Sequence, residues 1–351
     1  MAQSIEESLN KIEDEVGNID EYVANSLDMN IDTVRNDFSA EQIDALAMSI
    51  RNAEAGKGFI IGDQTGIGKG RVVAAMIRYA LVNGKIPIFV TEKSNLYSDM
   101  IRDLDDIGMT SQLGIDTAKP KILITNSNTS IPYQLIREKD GELVEEDFNL
   151  KPPKSGAALD EMMKKMRGDE SLGNYKVIFT TYSQLQTVKG KETERQRFIR
   201  DFGLNNYMIF DESHNAGGAG EKKVKDEGKG GSRASFVREL VNNAFGTFFS
   251  SATYAKRPDV MDLYASTDMG LAVDTPSELG EAIKRGGVPM QQIVATMLAK
   301  AGQYIRRERT FAGVSYSTVD TKVDKQTAEN MASAMRSVLA FSREKEKAVK
   351  D

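Results

Sequence analysis

A glycine-rich segment carries the residues best suited to binding phosphate. The string GFIIGDQTGIGKGR places an apolar run before Gly66, Gly68 and Lys69, and apolar residues recur at helical spacing over 72–77. Glycines let a backbone wrap around phosphate, the following helix presents unpaired N–H groups, and a lysine adds a point charge. The spacing predicts a phosphate-binding loop between a strand and a helix. Taken alone, it also fits a glycine-rich turn that only caps a helix.

Two acidic residues follow a second apolar run, later in the chain. Asp211 and Glu212 come directly after YMIF. Open α/β sheets place ligands at the carboxyl ends of their strands. Asp211 is expected to hold Mg²⁺, directly or through water, and Glu212 to orient and deprotonate an attacking water. A solvated strand end is the alternative, but the pair follows the fifth predicted strand and the loop follows the first, an order that favours a nucleotide site.

The chain has a single histidine, His214, two residues after Glu212. A histidine is ordinarily a satisfied core residue. Its position here instead predicts a link between the nucleotide site and Ser251 and Thr253, which follow the next apolar run, TFFS. All three are therefore counted with Lys69 and the two carboxylates as candidate catalytic residues.

Six short apolar runs alternate with amphipathic stretches along the chain: GFIIG (58–62), IPIFVT (86–91), KILIT (121–125), YKVIFTTY (175–182), YMIFDE (207–212) and GTFFSSAT (246–253). Strands that are apolar on consecutive residues are typical of a parallel sheet covered on both faces. The fold class predicted is α/β, with a doubly wound, mostly parallel sheet. After Thr253 the chain is predicted to be mainly helical.

Other segments flank or interrupt this alternation. A stripe of apolar residues within 4–27 predicts an N-terminal helix or helical hairpin, interpreted as a packing cap rather than a coiled-coil partner site. Ser39 and Gln42 have capping-box spacing at the start of another helix. Residues 136–172, polar and broken by prolines, predict a surface insertion, and the glycine-rich, charged residues 217–232 predict a mobile loop.

Composition limits the classes of function. The chain has 351 residues, a net charge of −6 and no cysteine, which excludes disulfides and thiolate metal sites. Any metal must be held by oxygens. The charge argues against coating nucleic acid through bulk positive charge but leaves a local contact groove open. The acidic, amphipathic start and the lack of a long apolar run predict a cytoplasmic protein without a membrane span.

The motifs resemble those of superfamily 2 helicases. DQTGIGKG resembles motif I, DESH a DEAH-type motif II, and SAT motif III. The strings GFIIGDQTGIGKGR, VIFTTYSQLQ, FDESH, SSAT, KRGGV and FAGV, in this order, are similar to the strawberry notch family from about Phe38 to Val314. DEYVANSL and PIFVTEKSNL also resemble strawberry-notch-like modules in large phage and plasmid proteins, which implies a bacterial or phage-encoded protein.

This resemblance implies a RecA-like P-loop lobe over residues 38–265, an N-terminal helical segment over 1–37 and a family-specific, mainly helical extension over 266–351. It implies ATP and Mg²⁺ as cofactors. Gln42 could correspond to a glutamine that reads adenine, although its capping role is an equal alternative. The residues implied to bind the cofactor are Gln42, Asp63, Gln64, Thr65, Gly66, Ile67, Gly68, Lys69, Gly70 and Arg71.

Two departures from the superfamily pattern stand out. Gly70 occupies the position where most P-loops have a Ser or Thr that binds Mg²⁺, and the strawberry notch pattern also has glycine there. Coordination of Mg²⁺ would then depend on Asp211, phosphates and water, helped by Asp63 or Thr65. No second RecA-like lobe, with its arginine-bearing motif, is visible. Arg306, Arg307 and Arg309 could supply that arginine only if their segment folds back over the cleft.

The resemblance implies a motor lobe that acts on nucleic acid together with a second lobe, supplied in cis or in trans. It favours DNA over RNA as the nucleic acid. Thr91–Lys93 and Thr180–Tyr182 fall where motifs Ia and Ib contact a nucleic-acid backbone, although hydroxyls at strand ends also cap helices. The alternatives are a single-lobe ATP-binding or degenerate scaffold within a virion or larger complex and, less well supported, a metabolic P-loop kinase.

Overall fold

We describe the fold from a computed structural model of the chain. The structure describes residues 2–64, 66–139, 141–216, 233–251, 258–272, 276–308 and 324–348. Residues Met1–Arg309 cluster into one compact unit and Thr310–Asp351 into a second. The functional residues predicted above belong to the first unit.

Nine strands are present in the described residues: β1 (Gly58–Ile61), β2 (Pro87–Thr91), β3 (Ile122–Ile124), β4 (Ile131–Lys139), β5 (Glu142–Leu150), β6 (Val177–Thr181), β7 (Tyr207–Asp211), β8 (Gly246–Ser250) and β9 (Tyr304–Ile305). Seven of them form one sheet in the order β3-β6-β2-β7-β8-β1-β9, and every neighbouring pair is parallel. All six predicted strands are present, so the doubly wound α/β prediction is confirmed.

Twelve α-helices are described: α1 (Ala2–Val16), α2 (Ile19–Ser26), α3 (Ile31–Asp37), α4 (Ala40–Glu54), α5 (Lys69–Val82), α6 (Tyr97–Asp106), α7 (Thr110–Leu113), α8 (Gly156–Gly168), α9 (Glu194–Gly203), α10 (Arg233–Asn243), α11 (Pro276–Lys300) and α12 (Lys325–Ala348). α1 and α2 form the predicted N-terminal cap. α4 begins at the predicted capping box of Ser39 and Gln42. α11 is interrupted at Gly287, where φ is 59°.

The sheet is buried on both faces because its strands are apolar on consecutive residues. In β1, Phe59 and Ile61 pack into one core with the helices α1–α7, whereas Ile60 packs into a second core with α8–α11. All three side chains are fully buried. A sheet with two apolar faces therefore has only its strand ends left for polar chemistry.

Two elements add to the sequence prediction. The predicted surface insertion is ordered: β4 and β5 form an antiparallel hairpin, and α8 buries Leu159 and Met163 in the second core. The extension predicted to be mainly helical also contributes β9, which pairs with β1 at the edge of the sheet. The three-part division of the chain remains a prediction. None of the helices in the described ranges is both long and apolar enough to span a membrane.

Candidate nucleotide site

The phosphate-binding loop connects β1 to α5. Gly66 and Gly68 have φ angles of 92° and 86°, a left-handed conformation that residues with a Cβ rarely adopt. Both glycines are exposed, and α5 starts directly after them with Lys69. The first N–H groups of α5 have no partner within the helix, so they are available to an anion in the loop. The Lys69 ammonium donates to the Asp63 carbonyl oxygen at 2.5 Å.

Gln42 supports the other end of this loop. Its amide nitrogen donates to the Gly68 carbonyl oxygen at 3.0 Å, while its amide oxygen accepts from the Ser39 N–H at 2.9 Å. A Cβ at Gly68 would overlap the Gln42 amide nitrogen, so the glycine permits this close approach. The capping role is therefore present together with a contact to the loop. Reading of adenine by Gln42 remains a prediction.

Asp211 lies at the carboxyl end of β7, between the ends of two neighbouring strands. Thr91 at the end of β2 donates its hydroxyl to Asp211 Oδ2 at 3.1 Å, and Ser250 at the end of β8 also hydrogen-bonds the carboxylate. Burial raises the pKa of Asp211, and the two hydroxyls and the charge of Lys69 oppose that shift. A partly buried carboxylate held by hydroxyls and lacking an ion pair in the described residues suits a bound cation.

Glu212 takes a left-handed backbone conformation, with φ at 45°, immediately after β7. Burial raises the pKa of Glu212, and the neighbouring Asp211 raises it further, whereas Lys69 lowers it. Strained backbone conformations of this kind cluster at active sites and ligand clamps. A glutamate with a raised pKa is also better matched to proton transfer near neutral pH. The structure thus brings Lys69, Asp211 and Glu212 to one edge of the sheet.

His214 makes the contact expected from its position. Its Nδ1 atom lies 2.9 Å from the Ser251 hydroxyl and 3.3 Å from Glu212 Oε2. Ser251 is buried, and its backbone N–H donates to the Ile61 carbonyl oxygen at 3.0 Å, next to the start of the loop. A chain of contacts therefore runs from Glu212 through His214 to β1. Thr253 lies outside the described residues.

The donors present fit a nucleotide with Mg²⁺ better than a metal held by protein alone. Among the residues that the structure describes, no three carboxylate or histidine side chains converge as a metal cage. Gly70 offers no hydroxyl, and a Cβ there would overlap the Asp103 carboxylate of α6. Coordination of Mg²⁺ by Asp211, with phosphate and water completing the shell, remains a prediction.

Two predicted cofactor-binding residues have partners beside the loop. Arg71 donates to the Asp37 carbonyl oxygen at 2.8 Å and to Asp106 at 2.6 Å, so the structure does not bring its guanidinium to the loop. The Asp63 carboxylate is buried and paired with Arg307. The backbone N–H of Gln64 donates to the Arg307 carbonyl oxygen, and Ile67 lies partly buried within the loop. Thr65 and the predicted mobile loop 217–232 lie outside the described residues.

Most hydroxyls assigned to nucleic-acid contact face inward. Thr180 accepts from the Thr125 hydroxyl at 2.7 Å, and Thr181 accepts from Asn126 at 3.0 Å. Tyr182 donates its buried hydroxyl to the Asp211 carbonyl oxygen at 2.9 Å. Thr91, also buried, orients Asp211, a role that the sequence analysis missed. The sequence signal that could have indicated this role is the position of Thr91 at the end of a strand with the same apolar pattern as β7.

Sequence comparisons relate the chain to strawberry notch proteins, which confirms the resemblance. It is 28% identical to protein strawberry notch homolog 2 of Homo sapiens over 298 residues, which cover 80% of this chain and 18% of that protein. It is 26% identical to protein strawberry notch of Drosophila melanogaster over 280 residues, covering 77% and 14%. It is 23% identical to protein FORGETTER 1 of Arabidopsis thaliana over 274 residues, covering 76% and 18%. The chain thus spans less than a fifth of these relatives.

Among solved structures, the Sulfolobus solfataricus SWI2/SNF2 ATPase core domain aligns with a TM-score of 0.41 and 14% identity, covering 76% of this chain and 42% of that chain. A family profile gives the assignment. The profile described as P-loop containing NTP hydrolase pore-1 matches residues 19–332, which include the loop, both carboxylates and β9. The chain belongs to the P-loop containing NTP hydrolase pore-1 family.

Proposed function

We propose that this chain is an ATP-binding motor lobe that, with a second RecA-like lobe, couples ATP hydrolysis to movement on nucleic acid. One observation carries the ATP part of the proposal. Lys69 on the loop is close enough to Asp211 and Glu212 for its charge to oppose the rise in pKa that burial gives both carboxyls. A phosphate-binding lysine, a metal-binding aspartate and a base therefore share one edge of the sheet, as phosphoryl-transfer sites require.

Each residue has a distinct part in this proposal. Mg²⁺ held at Asp211, when bound, would neutralise charge on the phosphates. The glycines at 66 and 68 leave the backbone N–H groups accessible to phosphate, and Lys69 adds its positive charge. Glu212 accepts a proton from water, and its raised pKa suits that role. His214 holds the end of the Glu212 segment against Ser251.

The action on nucleic acid and the second lobe rest on different support. The motif strings resemble superfamily 2 helicases, and the relatives are far longer than this chain. Of the residues assigned to motif Ia, the Glu92 and Lys93 side chains reach solvent, 47% and 69% exposed. We propose DNA as the first track to test, with RNA second. A cytoplasmic location in a bacterial cell, with a host or phage gene, remains a prediction.

Calorimetric titration with MgATP tests the nucleotide site. Lys69→Ala should weaken binding by about tenfold or more, which corresponds to roughly 1.4 kcal/mol. Glu212→Gln should bind MgATP normally but lose residual hydrolysis, because it removes the base and keeps the side-chain shape. Lys164→Ala, at an exposed lysine on α8, is the matched control and should behave as wild type. Unchanged affinity in Lys69→Ala would refute the assignment.

A scaffold that binds ATP without turning it over is the second candidate, and Gly70 is the observation that favours it. Position 70 lacks the usual metal-binding hydroxyl, and Asp103 occupies the space where a side chain would begin. Normal MgATP binding with no hydrolysis, even with a second lobe supplied in trans, would support this candidate over the motor.

A further inference from the structure

The segment that follows α11 lies along β1 and continues beside the phosphate-binding loop. Three backbone N–H groups donate to it: Ile60 to the Gln303 carbonyl at 2.9 Å, Gly62 to Ile305 at 2.7 Å, and Gln64 to Arg307 at 3.2 Å. This ladder extends beyond Ile61, where β1 ends. The first residues of the loop are thus held as though the sheet continued into it.

A buried ion pair fastens the two segments together. The Arg307 Nε lies 3.1 Å and 3.2 Å from the two Asp63 carboxylate oxygens, and a terminal nitrogen of the same guanidinium also contacts Oδ2. The Arg307 backbone N–H donates to Asp63 Oδ1 at 2.7 Å. Asp63 is fully buried, so its carboxylate depends on these donors. The other terminal nitrogen of Arg307 donates to the Glu41 carbonyl oxygen, beside Gln42.

The same residue, Asp63, also contacts the phosphate-binding lysine. Its carbonyl oxygen accepts from Lys69 Nζ, while its carboxylate is held by Arg307. Gly62 adds to the fit: a Cβ there would lie 2.7 Å from the Tyr304 ring, so glycine lets that ring pack against the start of the loop. Asp63 therefore joins the loop to the segment 303–308.

We propose that Arg307 is a positioning residue that couples the segment 303–308 to the nucleotide site through Asp63. Arg307 holds the loop and does not itself contact the nucleotide. Displacing the segment would release Asp63 and lower nucleotide affinity. By the reciprocity of linked equilibria, bound nucleotide would stabilise the docked segment. The inference rests on the proposed function, because it requires that the loop bind ATP.

The test combines MgATP titration with hydrogen exchange on the full chain. In Arg307→Gln, affinity should fall by about tenfold, and exchange should accelerate at the amides of Gly62 and Gln64. In wild type, MgATP should slow exchange at these amides. Arg307→Lys, which keeps the charge and loses the planar fork, should give an intermediate result and remains informative should Arg307→Gln unfold. Arg306→Ala is the matched control, because Arg306 is exposed and pairs with Glu308.

The two proposals fail in different ways. Wild-type affinity in both Arg307→Gln and Arg307→Lys, with Lys69→Ala defective, would overturn the coupling and leave the ATP site intact. An equal loss of MgATP affinity in Arg306→Ala would also overturn the coupling, because the loss would then follow from removing any positive charge in this segment. A wild-type chain that does not bind MgATP would overturn the proposed function and the coupling with it.

Discussion

Asp103 offers a test of the electrostatics beside the loop. Burial raises the pKa of the Asp103 carboxyl from 3.8 to about 6, Asp106 and Asp99 contribute in the same direction, and Arg102 and Arg71 oppose the shift. The folded protein therefore binds this proton more tightly than the unfolded chain does. Ionisation of Asp103 costs stability: the cost is absent below about pH 4, grows as the pH rises towards 6 and is complete above that.

The size of the effect follows from the shift. About 2 pKa units correspond to roughly 3 kcal/mol, and the partial exposure of Asp103 reduces this to about 1–2 kcal/mol. Asp103→Asn should therefore raise the free energy of unfolding by about 1–2 kcal/mol more at pH 7.5 than at pH 4.5. Comparing the two pH values cancels any effect of the amide that does not depend on pH.

Urea denaturation at both pH values measures this difference. Asp99→Asn is the control, since Asp99 lies on the same helix, is 55% exposed and pairs with Arg102 at 3.3 Å. It should change stability by a few tenths of a kcal/mol at either pH. An equal gain for Asp103→Asn at both pH values, or a loss at pH 7.5, would show that the carboxylate is not destabilised by burial.

Three further predictions concern the site and its surroundings. Gly70→Thr should leave the Mg²⁺ dependence of ATP binding unchanged but destabilise the fold by about 1 kcal/mol. Adding Asp103→Ala should restore the lost stability, because it removes the overlapping carboxylate. A large gain in Mg²⁺ affinity in Gly70→Thr would contradict the first expectation. Thr91→Val should cost about 1 kcal/mol of stability and weaken Mg²⁺-dependent nucleotide binding, whereas Thr91→Ser should keep both, as titration and denaturation would show. Replacing four lysines of the predicted loop 217–232 with alanine should flatten the salt dependence of nucleic-acid binding; they are Lys222, Lys223, Lys225 and Lys229. An unchanged slope would indicate that the segment 217–232 is only a linker.

The sequence was sufficient for the loop and the paired carboxylates because their signals are local. An apolar run, a glycine pattern and a lysine are contiguous from Gly58 to Lys69, and the same is true of Tyr207–Glu212. Because the strands of a parallel sheet have their carboxyl ends at the same edge, predicting that the two sites lie together requires no further sequence signal. The capping box at Ser39 and Gln42 is equally local, and the structure contains it.

Contacts between distant parts of the chain could not be predicted in this way. β9 has only two residues, too few for a hydrophobic period, and it is defined by pairing with β1. The Asp63–Arg307 pair joins residues 244 positions apart. Gly70 shows the same limit: the sequence identifies the missing hydroxyl, but only the packing of α6 on α5 reveals Asp103 in its place. Thr91 was assigned to nucleic acid because its neighbour across the sheet was unknown.

The positions of the arginines bear on turnover. Arg307 is held by Asp63, Arg306 pairs with Glu308, and Arg71 pairs with Asp106, while Arg309 lies outside the described residues. In the proposed coupling, Arg307 supports the loop through Asp63 and does not contact a phosphate. Since an arginine supplied across the cleft raises the rate about 10³- to 10⁵-fold in related machines, the chain alone should hydrolyse ATP slowly.

Steady-state phosphate release by residues 1–351 should therefore be close to background and respond little to nucleic acid, and it should rise when a second lobe is supplied. Arg307→Lys then separates the two possible roles of Arg307. If Arg307 positions the loop, the variant raises the KM for ATP more than it lowers kcat, because the loss lies in binding. A fall in kcat at unchanged KM, in a chain that hydrolyses ATP rapidly by itself, would instead place Arg307 against the transferred phosphate and refute its positioning role.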